Sequence, residues 1–216
     1  YMINLKDDFL NPTSSADPKK GRINRKLIGN IFFIEIDRPQ KLNRFTSFMF
    51  KEMAIAYTEY EKNKDALCAI VFTNGNHFCA GMDLAQVAHF LEKKDHSYIS
   101  PKGLIDPLGL KKPVRQKPLI CVVKGITYTY GLELMLAADI SICADNCRFA
   151  MLEVLRGLMM TGGGTVRFVE RAGWGNAMKY LLTGLEFNSK NALDMNLVQE
   201  IHSPKNVLKR GIELAD

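Results

Sequence analysis

KPLICVVKGITYTYGLELMLAAD, residues 117–139, is the stretch on which the fold turns. After Pro118 the run Leu119–Val123 is apolar and β-favouring, the pattern of a strand buried on both faces. Gly125 breaks that run, and a short loop from Ile126 to Tyr130 carries the chain to Gly131. Leu132, Leu134, Met135, Leu136, Ala137 and Ala138 then predict a mostly buried helix, with one acid, Glu133, in its first turn. Strand, tight loop and helix present backbone N–H groups to an anion, because the first N–H groups of a helix have no internal partner. A carboxylate among apolar residues beside such a loop has two readings: a first-turn acid favoured by the helix dipole, or a group that does chemistry.

Working upstream, the same pattern recurs. Residues 31–36, IFFIEI, predict a strand that ends at Asp37-Arg38-Pro39, and Thr46 or Ser47 caps a helix to about Lys62. Residues 69–73 predict a second buried strand, broken by Asn74-Gly75-Asn76. HFCAGMDL at 77–84 then enters a helix ending near Glu92, with Asp83 as its cap or first-turn acid. Residues 93–116 hold three prolines and little periodicity, the mark of a surface connector or lid. Downstream, 140–143 predict a strand and 148–151 an extended piece leading to Glu153. A glycine-rich segment at 157–165 precedes amphipathic helices at 166–172 and 176–182, a short helix capped by Ser189, and a last strand-like piece at 197–201. Alternating strands and helices make 31–201 one α/β core. Residues 1–30 are polar and predict a loose arm or an irregular first strand, and 202–216 begin a C-terminal helical region.

Composition narrows the class. The 216 residues, 47% apolar and 24% charged, suffice for one large core. The net charge of +6 is spread along the chain, without an aromatic-interleaved basic block of the nucleic-acid kind, so an anionic small ligand fits better than nucleic acid. Five cysteines, odd in number and without a CxxC pair, predict reduced buried thiols in the cytoplasm, and with four scattered histidines there is no metal spacing. No run reaches the roughly 18 apolar residues of a membrane span, and the start of the chain lacks an apolar signal core.

Five motifs, taken together and in order, resemble the crotonase (enoyl-CoA hydratase/isomerase) family: HFCAGMDL at 77–84, KPLICVVKGI at 117–126, GLELMLAADI at 131–140, FAMLEVLRG at 149–157 and GGTVRFVERAGWGNAMKYLLTG at 163–184. The likeness spans roughly residues 30–201. It implies a spiral of ββα units, a coenzyme A thioester as substrate with no other cofactor and no metal, and a homotrimer or dimer of trimers. It also implies further C-terminal helices, incomplete at Asp216. Carried over residue by residue, the backbone N–H groups of Met82 and Tyr130 form an oxyanion hole, flanked by Ala80, Gly81, Asp83 and Gly131 at the substrate. Glu133 and Glu153 match the two catalytic carboxylates of the hydratases.

Hydrating a thioester-conjugated double bond places negative charge on the thioester oxygen. Two preorganised N–H groups stabilise it, and losing one costs about 3–4 kcal/mol. Water must be deprotonated while the α-carbon gains a proton, which two carboxyls can do if one is ionised and the other protonated. A single carboxyl suffices to move a double bond. Each motif residue also has a bland reading: Glu153 pairing with Arg156, Gly162–Gly164 closing a helix contact, His77 and Trp174 structural. Three positions depart from the family pattern. Thr129-Tyr130-Gly131 stands in place of three glycines, so a ring at 130 narrows the acyl pocket, meets substrate or blocks the site. If residue 130 needs positive φ, tyrosine costs roughly 1–2 kcal/mol. Met160 replaces a proline, which loosens its loop.

Overall fold

The structure is a computed structural model that describes residues 17–93, 97–99 and 101–216. Its main sheet has six strands in the order β1-β2-β3-β4-β6-β9: β1 (Arg22–Ile28), β2 (Ile31–Asp37), β3 (Cys68–Phe72), β4 (Leu119–Val123), β6 (Ile140–Ala144) and β9 (Glu200–His202). β1 and β2 form an antiparallel hairpin, with Arg22 opposite Asp37; every later neighbour is parallel. Parallel strands covered on both faces must be apolar throughout, and β3 and β4 are buried at every residue.

A second, three-stranded sheet has the order β5-β7-β8: β5 (Ile126–Tyr128), β7 (Arg148–Ala150) and β8 (Phe187–Asn188). Two isolated bridges, Phe45 with Met82 and Cys79 with Thr127, continue this sideways pairing between successive turns of the chain. Each turn of the spiral is therefore a main-sheet strand, a second extended piece and then a helix. The helices α1 (Ser47–Lys62), α2 (Leu84–Glu92) and α3 (Tyr130–Leu136) follow residue 45, residue 82 and β5 in that order. This is a crotonase-like α/β fold.

α4 (Gly164–Ala172), α5 (Trp174–Thr183), α6 (Ser189–Asp194) and α7 (Val207–Ala215) complete it. Thr46 caps α1 by accepting the Met49 N–H at 3.1 Å. α7 lies on β3, β4 and β6. A side chain at Gly211 would begin 2.6 Å from Val122 Cγ2, so glycine is what lets the helix sit so close.

Several elements differ from the sequence reading. β1 is a regular strand inside residues 1–30, while the arm at 1–16 lies outside the described residues. The predicted loop 126–130 is strand β5 followed by the first turn of α3. Asn188 rather than Ser189 caps α6, through a capping box with Asn191. The last strand is 200–202 rather than 197–201, and β8 was not anticipated. Trp174 is 71% exposed and is no part of the core. All five cysteines are free and buried.

Candidate active site

The Ala80–Asp83 turn and the Tyr128–Gly131 turn lie side by side. Cys79 N–H donates to Ile126 O at 3.0 Å, and Tyr128 N–H donates back to Cys79 O at 2.9 Å. A Cβ on Gly81 would fall 2.1 Å from Thr129 Oγ1, and one on Gly131 would fall 2.7 Å from Cys79 Cβ. Residues 81 and 129, the immediate neighbours of Met82 and Tyr130, are thus in contact, and the two glycines are the condition of that contact. Gly81 also has φ +96, a left-handed conformation open to glycine. Among the described residues neither the Met82 nor the Tyr130 N–H meets a protein acceptor outside regular helix or strand bonding. Phe45 N–H is bound to Gly81 O, Asp83 N–H to Phe45 O and Ala80 N–H to Leu42 O, which fixes the first turn from its far side.

The strained residue in the second turn is Thr129 (φ 48, ψ −117), not Tyr130, which is already the first residue of α3. The expected steric cost at 130 therefore moves to a β-branched neighbour, whose Oγ1 fills the space above Gly81. The Tyr130 ring turns into the core. Its centroid lies 4.7 Å from that of Phe45 and 4.7 Å from that of Phe50, edge-on to the latter, and Phe50 in turn packs on Tyr98. It does not line the cavity beside Glu133.

Asp83 stands immediately before α2, where a cap or first-turn acid is expected, and its backbone carbonyl accepts the Gln86 and Val87 N–H groups. Its carboxylate accepts a hydrogen bond from the buried Arg38 guanidinium at 2.8 Å. Arg38 Nε donates to Pro18 O, Nη1 also donates to Arg44 O, and Arg38 N–H donates to Asn43 Oδ1. No feature of the sequence marks Arg38 for this role, because its partners, Pro18, Asn43 with Arg44, and Asp83, come from three separate places in the chain.

Glu133 is 2% exposed. Its Oε1 accepts N–H bonds from Gly162 at 2.7 Å and Gly164 at 3.1 Å. The triple glycine was read as a packing device; it also supplies the amides that hold this carboxylate. A Cβ on Gly162 would lie 2.2 Å from Glu133 Oε2, so the turn tolerates no side chain there. Burial pushes the Glu133 carboxyl up to about 7, opposed by the Gly164 and Gly162 N–H groups and by Arg167, and reinforced by the charge of Glu153. Glu153 precedes a 3₁₀ turn (Val154–Arg156). Burial raises its carboxyl as well, and its Oε2 is buried with no hydrogen-bond partner among the described residues. No ion pair to Arg156 is formed there among those residues.

A cavity of about 150 Å³ opens beside Glu133. Met82, Glu133 and Gly162 form part of its wall, and the connector supplies Leu108, Asp106 and Lys111. The connector is therefore not only a surface lid: Ile105, Asp106 and Leu108 are buried, and Ile105 N–H donates to Thr58 Oγ1 at 2.9 Å. Asp106 organises the turn by accepting the N–H groups of Leu108, Leu110 and Lys111. Tyr130 and Glu153 are not in the cavity wall.

A two-sheet ββα spiral with a buried acid, Glu133, beside two touching glycine turns defines a crotonase-like protein. Residues 27–216 match the family described as enoyl-CoA hydratase/isomerase, and the chain belongs to that family. It is 31% identical to the enoyl-CoA hydratase EchA19 of Mycobacterium tuberculosis over 191 residues, covering 87% of this chain and 71% of that protein. A carnitinyl-CoA dehydratase of Proteus mirabilis is also 31% identical, over 87% of this chain and 70% of its own. Among solved structures, a probable enoyl-CoA hydratase/isomerase from Mycobacterium abscessus superposes with a TM-score of 0.85 at 37% identity, covering 92% of this chain and 75% of that one. The chain is an enzyme of the enoyl-CoA hydratase/isomerase type.

Proposed function

We propose that this enzyme adds water to 2-enoyl-CoA thioesters, with the Met82 and Tyr130 N–H groups holding the thioester oxygen as it gains charge. The observation that supports this reading is the contact between residue 81 and residue 129, the chain neighbours of Met82 and Tyr130, near the cavity that Met82 and Glu133 line. Ala80, Gly81, Asp83 and Gly131 shape the substrate side of those turns. Glu133 is the base on water above about pH 7, where it ionises despite its burial and its charge is met by two N–H groups and by Arg167. Glu153 serves the α-carbon as the acid, since a buried oxygen without a partner favours the protonated carboxyl. No cofactor is required beyond the coenzyme A of the substrate.

The net charge of +6 suits a phosphate-bearing thioester, and Lys41, Arg44 and the connector lysines are candidates to meet the phosphates. Among the described residues no helix is long and apolar enough to cross a membrane, and the five free thiols suit a reducing compartment. We place the enzyme in the cytoplasm, as a homotrimer or dimer of trimers, without a nucleic-acid or membrane partner. Exposed Leu155, Met159, Leu182 and Leu185 provide apolar surface for such an assembly.

Loss of the conjugated enoyl absorbance on adding crotonyl-CoA is the expected result, and no loss at high enzyme concentration overturns hydration. A second reading is movement of a double bond by one carboxyl. It is favoured by the absence of Glu153 from the cavity wall. A 3-enoyl-CoA offered in parallel separates the two.

A further inference from the structure

Arg167 stands one turn into α4, where a cation opposes the positive end of the helix dipole. Its guanidinium nevertheless folds back over that end. Nη2 donates to Leu108 O at 2.6 Å and Nη1 to Gly162 O at 3.4 Å, two carbonyls from segments 54 residues apart in sequence (162 − 108). Gly163 makes the room: a Cβ there would lie 2.4 Å from Nη1. One end of this bridge is the 106–111 turn, held together by the Asp106 carboxylate and contributing Leu108 to the cavity wall. The other end is the glycine turn whose N–H groups hold Glu133.

We propose that Arg167 is a positioning residue: by tying the 106–111 turn to the glycine turn, its guanidinium sets both the wall of the cavity and the seat of the Glu133 carboxylate. The proposal rests on Glu133 being a working group of the site. A guanidinium holds its donors in a rigid planar fork, whereas a lysine ammonium is a compact point charge on a flexible stem, whose donors cannot keep the fork's spacing between these two carbonyls. Charge and geometry are therefore separable in this bridge. The other groups that face Glu133 are Glu153 from the turn after β7, Asp106 and Lys111 across the shared cavity, and the Tyr130 phenol on its own helix. None of them contacts both turns through backbone carbonyls.

The test compares the intact protein with Arg167→Met and Arg167→Lys, using crotonyl-CoA turnover across pH and the Glu133 carboxyl signal in a glutamate-labelled NMR titration, assigned with Glu133→Gln. In Arg167→Met, KM is expected to rise about tenfold, and the Glu133 midpoint to move up by about one pH unit as the neighbouring cation is lost. In Arg167→Lys the midpoint returns toward the wild-type value while KM stays raised. An unmoved midpoint in a folded Arg167→Met protein overturns the proposal, as does full recovery of KM by lysine. The NMR titration does not depend on turnover, so an inactive wild type defeats the hydration reading alone and leaves the positioning test standing.

Discussion

Tyr130 shows how far one residue's surroundings can reverse its expected effect. A large ring at the amide that meets an oxyanion reads, in sequence, as a group that narrows the acyl pocket, meets substrate or blocks the site. In the fold the ring is 1% exposed and wedged between Phe45 and Phe50, pointing away from the cavity. Tyr130→Gly should therefore lower stability by about 3–5 kcal/mol, the usual cost of emptying a buried aromatic site, and gain no activity. Tyr130→Phe removes a buried hydroxyl without a partner among the described residues. It should leave turnover intact and raise stability by about 1 kcal/mol. Urea unfolding of the two variants beside the wild type measures both, and a glycine variant as stable as the wild type would refute the packing described here.

At the scale of elements, glycine governs which segments approach. Gly81 and Gly131 bring the two amide turns together, Gly162 admits Glu133, and Gly211 seats α7 on β4. Gly211→Leu should cost about 1–3 kcal/mol by overpacking against Val122, seen as a lower urea midpoint. Pairing it with Val122→Ala should recover part of that loss. A midpoint unchanged by Gly211→Leu would mean that α7 does not rest there. The regular elements were legible because their periodicity is local: β2, α1, β3, β4, α3 and β6 appear within a few residues of their predicted bounds. β5 and β8 were not, because strands of three and two residues carry too short a pattern and exist through pairing with β7.

For the whole molecule, the buried acid of the site couples folding to pH. The Glu133 carboxyl, ordinarily near 4.5, is raised to about 7 in the fold, chiefly by burial. The folded protein therefore holds this proton more tightly than the unfolded chain. The stability it contributes is complete below about pH 4.5 and is lost as pH rises through 7, a span worth on the order of 3 kcal/mol. Glu133→Gln keeps an acceptor for Gly162 and Gly164 without a charge to bury. Its stability relative to the wild type should therefore increase by about that amount between pH 5 and pH 8. A difference that stays flat across this range, in unfolding curves of both proteins, would show that Glu133 is ionised in the fold throughout.

By itself the sequence determined the alternation of buried strands and helices, the positions of the glycine turns and the two acids at issue, Glu133 and Glu153. The elements and turns follow from residue type and spacing within a few turns of chain, and the two acids from the likeness of their motifs to those of the family. Tertiary structure alone decided that Arg38 reaches Asp83, that the glycine run at 162–164 donates to Glu133, that Arg167 spans to the 106–111 turn, and that the Tyr130 ring faces the core. Each of these joins groups dozens of residues apart. Hydrogen bonds and ring contacts depend on distances of a few ångströms between segments, and no local pattern encodes those distances until the sheets bring the segments together.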